Sequence, residues 1–183
     1  MTALLRFEGV ALRRGGRLLF EDLNLELGPG EALLVAGPNG SGKSSLMRLA
    51  AGLLRQKRGQ VERSQLALAD DALALDCELP LKRALGFWSS AIDGPMDALG
   101  IGHLADVPVR LLSSGQAKRA TLARVAASDA SLWLLDEPLN ALDADGVTRL
   151  DGVIQSHLTK GGAVLAASHQ PLPGVWRRLE LGR

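Results

Sequence analysis

An octapeptide near residue 40 constrains the fold of this chain more than any other segment. Residues 37–44 read Gly-Pro-Asn-Gly-Ser-Gly-Lys-Ser and follow the short apolar run 32–36. Apolar side chains then recur at helical spacing over residues 43–54, so the octapeptide joins a buried strand to a helix. Two glycines with four residues between them, followed by Lys and Ser, predict a loop whose N–H groups surround phosphate oxygens.

Each residue of this loop has a predicted task. We expect Lys43 to reach the β- and γ-phosphates of a nucleoside triphosphate and the Ser44 hydroxyl to bind Mg²⁺. An ordinary glycine-rich turn is the alternative, and the position between a buried strand and a helix argues against it. The other residues predicted to bind the nucleotide are Gly37, Pro38, Asn39, Gly40, Ser41, Gly42 and Ser45.

An acidic pair follows a second apolar run, residues 132–135. In an open parallel sheet the carboxyl ends of the strands face the crevice where ligands bind. Asp136 is therefore predicted to hold Mg²⁺, and Glu137 to accept the proton of an attacking water. Taken alone, such a pair is more often two solvated carboxylates, but the phosphate loop in the same chain favours a shared site.

The pattern of strands and helices predicts an α/β fold. Buried runs at 32–36, 132–135 and 163–167 alternate with helical stretches, which indicates a mainly parallel sheet covered by helices on both faces. Alternating stretches at 4–12 and 23–27 predict an antiparallel flank. Short helices in the middle of the chain predict a small helical subdomain at about residues 72–127, within a single domain that spans residues 1–183.

Composition limits the partners and the redox state. There are 21 Lys and Arg against 20 Asp and Glu, a net charge of +1, so the whole-chain charge does not favour nucleic acid as a partner. No apolar run approaches the length of a membrane span, so a membrane role would need a partner subunit. Cys77 is the single cysteine, which excludes an internal disulfide, and we expect its thiol to be buried.

Three further segments carry a specific resemblance. Residues 112–116, Leu-Ser-Ser-Gly-Gln, resemble the signature sequence of the ATP-binding cassette (ABC) ATPases and stand before the acidic strand, as in that family. Residues 140–143, Asn-Ala-Leu-Asp, resemble its D-loop, and His169 resembles its switch histidine. The order of these motifs matches the family along the whole chain, so the predicted fold is the P-loop NTPase fold of ABC type.

The resemblance implies how the chain works. Two copies would pair head to tail when ATP binds, with each ATP between the phosphate loop of one copy and the signature of the other. Ser113, Gly115 and Gln116 would then contact the nucleotide, together with Asp143. His169 would touch the γ-phosphate and, with Lys43 and Glu137, catalyse hydrolysis of ATP to ADP and phosphate.

The chain departs from the family pattern at three places. A glutamine that meets Mg²⁺ and the membrane partner is expected after the strand at 65–69, but Asp70 and Asp71 stand there instead. Either one of them serves the metal or the contact is lost. An aromatic residue that stacks on adenine is expected near Arg13 and Arg14, where a guanidinium could cover the base. Ser114 replaces the usual glycine of the signature.

Residues 105–110, which lead into the signature, resemble the ATP-binding subunit of the cytochrome c maturation haem exporter. That subfamily implies a permease partner at the cytoplasmic face of the inner membrane, with the docking surface in residues 70–104. Three alternatives remain open: the ATPase of a lipid or other small-molecule exporter, a cassette protein of ribosomes or DNA, and a regulatory subunit that barely hydrolyses ATP.

Overall fold

The computed structural model describes residues 3–182. The strands are β1 (Leu5–Arg14), β2 (Arg17–Leu27), β3 (Ala32–Ala36), β4 (Arg58–Arg63), β5 (Leu66–Ala69), β6 (Leu132–Asp136), β7 (Ala163–Ala167) and β8 (Arg177–Glu180). The helices are α1 (Lys43–Ala50), α2 (Leu81–Gly86), α3 (Asp93–Ala98), α4 (Ser114–Ala126) and α5 (Ala144–Thr159).

A parallel sheet forms the centre of the described structure. Its strand order is β5-β6-β7-β3-β8, and every neighbouring pair is parallel. Strands β3 and β7 are buried along their whole length, because their Ala, Leu and Val residues are covered on both sides. This arrangement confirms the predicted α/β class and aligns the carboxyl ends of β3, β6 and β7 at one edge.

Alternate residues of the same strands belong to two different hydrophobic clusters. On β6, Leu132 and Leu134 pack with α1 and the antiparallel strands, whereas Trp133 and Leu135 pack with the middle helices and α5. Because side chains alternate across a strand, each cluster covers one face of the sheet. The sheet therefore separates two hydrophobic cores and contributes side chains to both.

An antiparallel sheet of order β2-β1-β4 confirms the predicted flank. Its strands are longer than predicted, since β1 continues to Arg14 and β2 starts at Arg17. The hairpin turns at Gly15 and Gly16, whose φ angles of 56° and 77° lie in the left-handed region that glycine adopts without strain. Next to this turn, Arg14 donates a hydrogen bond to Ser45 at the start of α1, so this end of the hairpin lies beside the phosphate loop.

The middle of the chain folds as short helices that pack on α4 and on the face of the sheet that carries Trp133 and Leu135. Helices α2 and α3 precede two 3₁₀ turns, Gly102–Leu104 and Val109–Leu111, and α4 follows. Leu81, Leu85 and Met96 are fully buried against this cluster. The apolar residues of the middle segment therefore belong to the hydrophobic cluster that covers one face of the sheet.

Two expectations about single positions are wrong. Helix α1 ends at Ala50 rather than near residue 54, because the backbone N–H groups of Leu53 and Leu54 both turn back to the carbonyl of Arg48. The Cys77 thiol is exposed rather than buried, because it lies in the irregular segment between β5 and α2.

Candidate functional site

The phosphate loop of residues 37–44 has the curled backbone that its glycines predict. Gly37, Gly40 and Gly42 have φ angles of 142°, 79° and 104°, and Gly42 caps the N-terminus of α1. A side chain at Gly37 would collide with the carbonyl of Leu181, so only glycine fits there. These conformations leave the first N–H groups of α1 free to bind an anion.

Lys43 lies at the centre of this loop and is buried. Its Nζ donates hydrogen bonds to the carbonyl oxygens of Gly37 and Pro38 at 2.8 and 3.2 Å. The backbone N–H of Ser41 also bonds the Pro38 carbonyl. The ammonium is thus held where a phosphate group of a bound nucleotide would enter.

A cleft of about 380 Å³ opens beside the loop and extends to the tip of the β1–β2 hairpin. No aromatic residue lines it within residues 3–182. Arg14 donates a hydrogen bond from Nη1 to Ser45 Oγ at 3.3 Å, whereas Arg13 bonds the Gly16 carbonyl within the hairpin. The cleft is lined by Arg14, Gly15, Arg17, Leu19, Asn39, Gly40, Gly42, Lys43, Ser44, Ser45 and Glu137.

The acidic pair at the end of β6 lies beside the same cleft: Glu137 lines it, and Asp136 neighbours Ser44, which also lines it. Burial raises the pKa of Asp136, and the neighbouring Ser44 hydroxyl opposes that rise. Asp136 Oδ1 is buried without a hydrogen-bond partner in the described part of the chain. A buried carboxylate oxygen without a partner beside a hydroxyl is a donor set that suits a small hard cation.

The structure brings Glu137 and His169 together. His169 Nδ1 lies 2.8 Å from Glu137 Oε2, so the ring hydrogen sits on Nδ1 when the imidazole is neutral. The φ angle of Glu137 is 46°, and its backbone N–H bonds the Ala167 carbonyl at 2.8 Å. The ends of β6 and β7 therefore fix the two side chains next to each other at the edge of the cleft.

The signature lies elsewhere on the molecule. Ser113 is the N-cap of α4: its Oγ accepts from the Gln116 N–H at 3.3 Å, and Gln116 Oε1 accepts from the Ser113 N–H at 2.9 Å. The Ser113 hydroxyl hydrogen stays free to donate to an anion. Ser113, Gly115 and Gln116 line a cavity of about 420 Å³ that shares no residue with the phosphate-loop cleft.

Asp143 lines that second cavity and caps α5. Its Oδ1 accepts from the Gly146 N–H at 2.9 Å and forms an ion pair with Arg119 of α4. Both interactions lower the pKa of Asp143, so the carboxylate is charged. One chain therefore presents two separate groups of predicted site residues, one at the phosphate loop and one at the signature.

The sequence profile described as "ABC transporter" matches residues 20–140, which include the phosphate loop, the signature and the acidic pair. The chain belongs to the ABC transporter family. Its activity is ATP hydrolysis coupled to transport, as the resemblance of its motifs implied.

Among curated relatives of this ABC protein are several cytochrome c biogenesis ATP-binding export proteins, CcmA. That of Sphingopyxis alaskensis is 55% identical over 92% of this chain and 91% of its own length. That of Zymomonas mobilis is 51% identical over 93% and 80%, and that of Pseudomonas putida 38% identical over 100% and 99%.

Solved structures support the ABC ATPase fold. An ATP-binding subunit of an ABC transporter superposes with a TM-score of 0.83 at 20% identity, covering 91% of this chain and 79% of its own. A nucleotide-free ATP-binding cassette superposes with a TM-score of 0.77 at 18% identity, covering 92% and 82%. Over residues 3–182, no helix is long and apolar enough to cross a membrane.

Sequence reasoning missed two basic residues of α4, Lys118 and Arg119, of which Arg119 is the partner of Asp143. Lys118 is buried, and its Nζ donates to the carbonyl of Asp136 at 3.4 Å. Desolvation lowers the pKa of Lys118, while the charges of Asp71 and Asp136 oppose that shift. Their place in the helix directly after the signature was the only available signal.

The two acidic residues at the position of the family's glutamine differ in their surroundings. Of these two carboxylates, only that of Asp71 raises the pKa of Asp136, and only that of Asp70 opposes the lowering of the Arg124 pKa by burial. Asp71 is also the residue whose charge acts most strongly on Lys118. Of the two, Asp71 is therefore the better placed to affect the acidic end of β6.

Proposed function

We propose that this chain is the ATPase subunit of the cytochrome c biogenesis exporter that acts on haem, bound to a permease at the cytoplasmic face of the inner membrane. The supporting observation is 55% identity over 92% of the chain to a relative named as a cytochrome c biogenesis ATP-binding export protein. The segment at residues 105–110 that leads into the signature agrees with this subfamily. Residues 1–183 act as one nucleotide-binding domain with a helical subdomain at about 72–127.

Two copies of the chain pair head to tail when ATP binds. The arrangement of the site supports this pairing, because the phosphate loop and Ser113 line different cavities of one chain. A γ-phosphate held by Lys43 of one copy would meet the capped N-terminus of α4 in the other, where a free hydroxyl hydrogen and the helix dipole favour an anion. Gly115, Gln116 and Asp143 contact the nucleotide from that second copy.

The residues at the loop and at the end of β6 fit Mg²⁺. Ser44 and Asp136 would hold the ion, because Asp136 Oδ1 is buried without a partner and Ser44 is its neighbour. When bound, the ion neutralises charge that develops on the phosphates. It would also offset the desolvation that raises the pKa of Asp136.

The protein's own groups divide the chemistry of hydrolysis. Lys43 exchanges the carbonyls of Gly37 and Pro38 for phosphate oxygens and stabilises the transferred group by its charge. Glu137 accepts the proton of the attacking water. His169, held 2.8 Å from the Glu137 carboxylate, positions that water against the γ-phosphate.

The permease contacts the middle segment at residues 70–104. Phe87 and Trp88 are 84% and 48% exposed there and form an edge-to-face pair with ring centroids 5.6 Å apart. Adjacent exposed aromatic residues are typical of protein interfaces. The Arg124 guanidinium lies 4.8 Å from the Trp88 ring and donates to the Leu68 carbonyl of β5, which connects this surface to the central sheet.

Co-purification from membranes of the source organism tests the subfamily. A tagged chain isolated under mild conditions should bring down a multi-span permease together with cytochrome c maturation proteins. Replacing Phe87 with Ser should reduce the permease recovered without changing ATP hydrolysis by the free subunit. Recovery of an unrelated permease would reject the haem assignment, and recovery of ribosomes or nucleic acid would reject transport.

Glu137→Gln tests the assignment of the base. The substitution keeps the shape of the side chain but removes its capacity to accept a proton, so steady-state phosphate release should fall by roughly a hundredfold or more. ATP should still bind, and light scattering should show an ATP-dependent dimer. Unchanged turnover would show that another group serves as the base.

A further inference from the structure

Exposed cations lie near the end of α1, in the turn that follows it and at both ends of β4. We call this group the basic surface, and it consists of Arg48, Arg55, Lys57, Arg58 and Arg63. The segment 48–63 contains these five cations and a single acid, Glu62, so its net charge is 5 − 1 = +4. The chain as a whole has a net charge of only +1, which conceals this local excess.

Backbone contacts hold the basic surface together. After α1 the chain turns back, so that the N–H groups of Leu53 and Leu54 bond the carbonyl of Arg48 at 2.8 and 3.2 Å. The Arg63 guanidinium lies over Gly52, in the position that a side chain there would occupy. Leu53, which is 63% exposed, is therefore bonded to Arg48 and follows the residue against which Arg63 lies.

The remaining cations of the basic surface follow directly along the chain. Lys57 donates its backbone N–H to the Ala11 carbonyl at 2.8 Å, and Arg58 pairs with Ala11 in the β1–β4 register. Within residues 3–182, no cation of the basic surface has a carboxylate oxygen within 4.0 Å. Their charge is therefore available to an outside partner.

The geometry points to anionic phospholipid headgroups at a bilayer surface as the partner of the basic surface. Clustered Lys and Arg beside an exposed leucine combine electrostatic attraction to anionic lipid with an apolar group that can enter the headgroup region. This inference rests on the proposed function in one respect, since an exporter subunit works next to a bilayer. The contact would hold the subunit at the membrane in addition to its permease.

Vesicle binding by the purified chain tests this inference without any permease. The chain should sediment with phosphatidylcholine vesicles that contain phosphatidylglycerol, and not with phosphatidylcholine alone. A triple variant, Arg55→Gln, Lys57→Gln and Arg58→Gln, should bind about a hundredfold more weakly, at about fivefold for each charge removed. Raising the salt concentration should weaken binding of the original chain more than that of the variant.

A matched control removes the same charge elsewhere. Lys82, Arg110 and Arg178 are exposed cations that each lie in an ion pair, with Asp93, Glu78 and Glu180 respectively. Replacing these three with Gln should leave vesicle binding within about twofold.

A second variant tests the apolar part of the contact. Leu53→Ser should weaken binding while leaving its salt dependence unchanged, because it removes apolar surface and no charge.

Three results would overturn the inference: equal binding to both kinds of vesicle, an equal loss in the control variant, or displacement from anionic vesicles by duplex DNA at lower phosphate concentration. The co-purification experiment separates this inference from the proposed function. Recovery of the permease with cytochrome c maturation proteins, but without vesicle binding by the purified chain, rejects only the lipid contact. Vesicle binding together with recovery of an unrelated permease rejects the haem assignment and leaves the lipid contact intact.

Discussion

Glu137 has a backbone conformation that few residues other than glycine adopt. Its φ of 46° places it in the left-handed region, at a cost on the order of 1–3 kcal/mol for residues in such conformations. The hydrogen bond to Ala167 and the contact with His169 hold the residue in place. The strained turn directs the carboxylate toward the cleft beside Lys43 rather than along the strand.

Asp136→Asn should change the dependence of stability on pH. Burial raises the pKa of Asp136 above its unfolded value, so between these two values the folded state binds more protons and the unfolding free energy falls as pH rises. The Asn variant has no carboxylate at this position, so its unfolding free energy does not fall with pH in this way. Its Tm without nucleotide and Mg²⁺ should exceed that of the original chain at mildly alkaline pH and converge with it in acid, whereas hydrolysis should be lost.

Calorimetry across that pH range, paired with a hydrolysis assay, checks this prediction. Glu31→Gln is a suitable control, because Glu31 lies in an exposed ion pair with Arg177 far from the loop. A variant that is less stable than the original chain at every pH would show that Asp136 is a structural carboxylate.

Arg14 should contribute to binding of the base. A nucleotide whose phosphates lie in the loop must place its base toward the hairpin end of the cleft, where Arg14 bonds Ser45. Arg14→Ala should raise the KM for ATP by roughly two- to fivefold, the range expected for a partly exposed cation over a ring. The control Arg13→Ala should leave KM unchanged, because Arg13 bonds within the hairpin. Equal effects of both variants would indicate general electrostatic attraction instead.

Helix α4 connects several parts of the proposed catalytic machinery. Its N-terminus carries the capped signature, Lys118 reaches the end of β6, and Arg124 bonds the end of β5. Arg119, with a side chain only 12% exposed, bonds Asp143, Asp145 and the carbonyl of Leu99. A movement of α4 would therefore displace the ends of β5 and β6, where acidic residues lie, and the D-loop.

Arg119→Ala should release Asp143 from α4 and so misplace the D-loop. We expect kcat to fall by about tenfold to a hundredfold, as for other displacements of positioning groups, with a smaller change in the KM for ATP. Steady-state kinetics measure this split. Arg149→Ala is the matched control, because Arg149 bonds Asp145 and not Asp143, and it should keep most of the activity. Equal losses in both variants would assign the effect to Asp145.

The elements that could be predicted from sequence are those whose own residues specify them. Strands β3, β6 and β7 are continuous apolar runs, and they occur where expected. Strands β4 and β8 were not predicted, because Arg-Gly-Gln-Val-Glu-Arg and Arg-Arg-Leu-Glu carry no apolar alternation and become strands only through their neighbours. Similarly, Leu53 and Leu54 continue the helical pattern of α1 although the chain has left the helix.

The candidate site, like the fold, has parts that could be predicted from sequence and parts that could not. The phosphate loop, the acidic pair and the signature are local motifs, so the sequence locates them. The contacts of Arg119 with Asp143 and of Lys118 with Asp136 join residues far apart in sequence, and no local pattern predicts them. Whether Arg13 or Arg14 lies in the cleft depends on the geometry of the hairpin, which the sequence pattern does not specify.

At the scale of the whole molecule, the proposed pairing of complementary half-sites predicts complementation between two inactive variants. Lys43→Ala removes the phosphate contact of the loop, and Ser113→Asp keeps the helix cap while placing a negative charge against the γ-phosphate. Each variant alone should be inactive. An equimolar mixture should recover about a quarter of the original activity, since half of the dimers are mixed and each mixed dimer has one intact site.

Phosphate release by the mixture, compared with each variant alone, measures this recovery. Ser113→Asn serves as the control, because it keeps the cap without adding charge and should retain more activity than Ser113→Asp. No recovery in the mixture would indicate that each chain completes its own site.

The distance between the loop and the signature also determines how the rate depends on the amount of protein. If neither half can complete a site alone, hydrolysis at low concentration should rise with the square of the chain concentration and become linear once dimers predominate. A subunit that has not joined a permease would then consume almost no ATP. Two subunits docked on one permease are at high effective concentration, so assembly with the permease would itself start ATP hydrolysis.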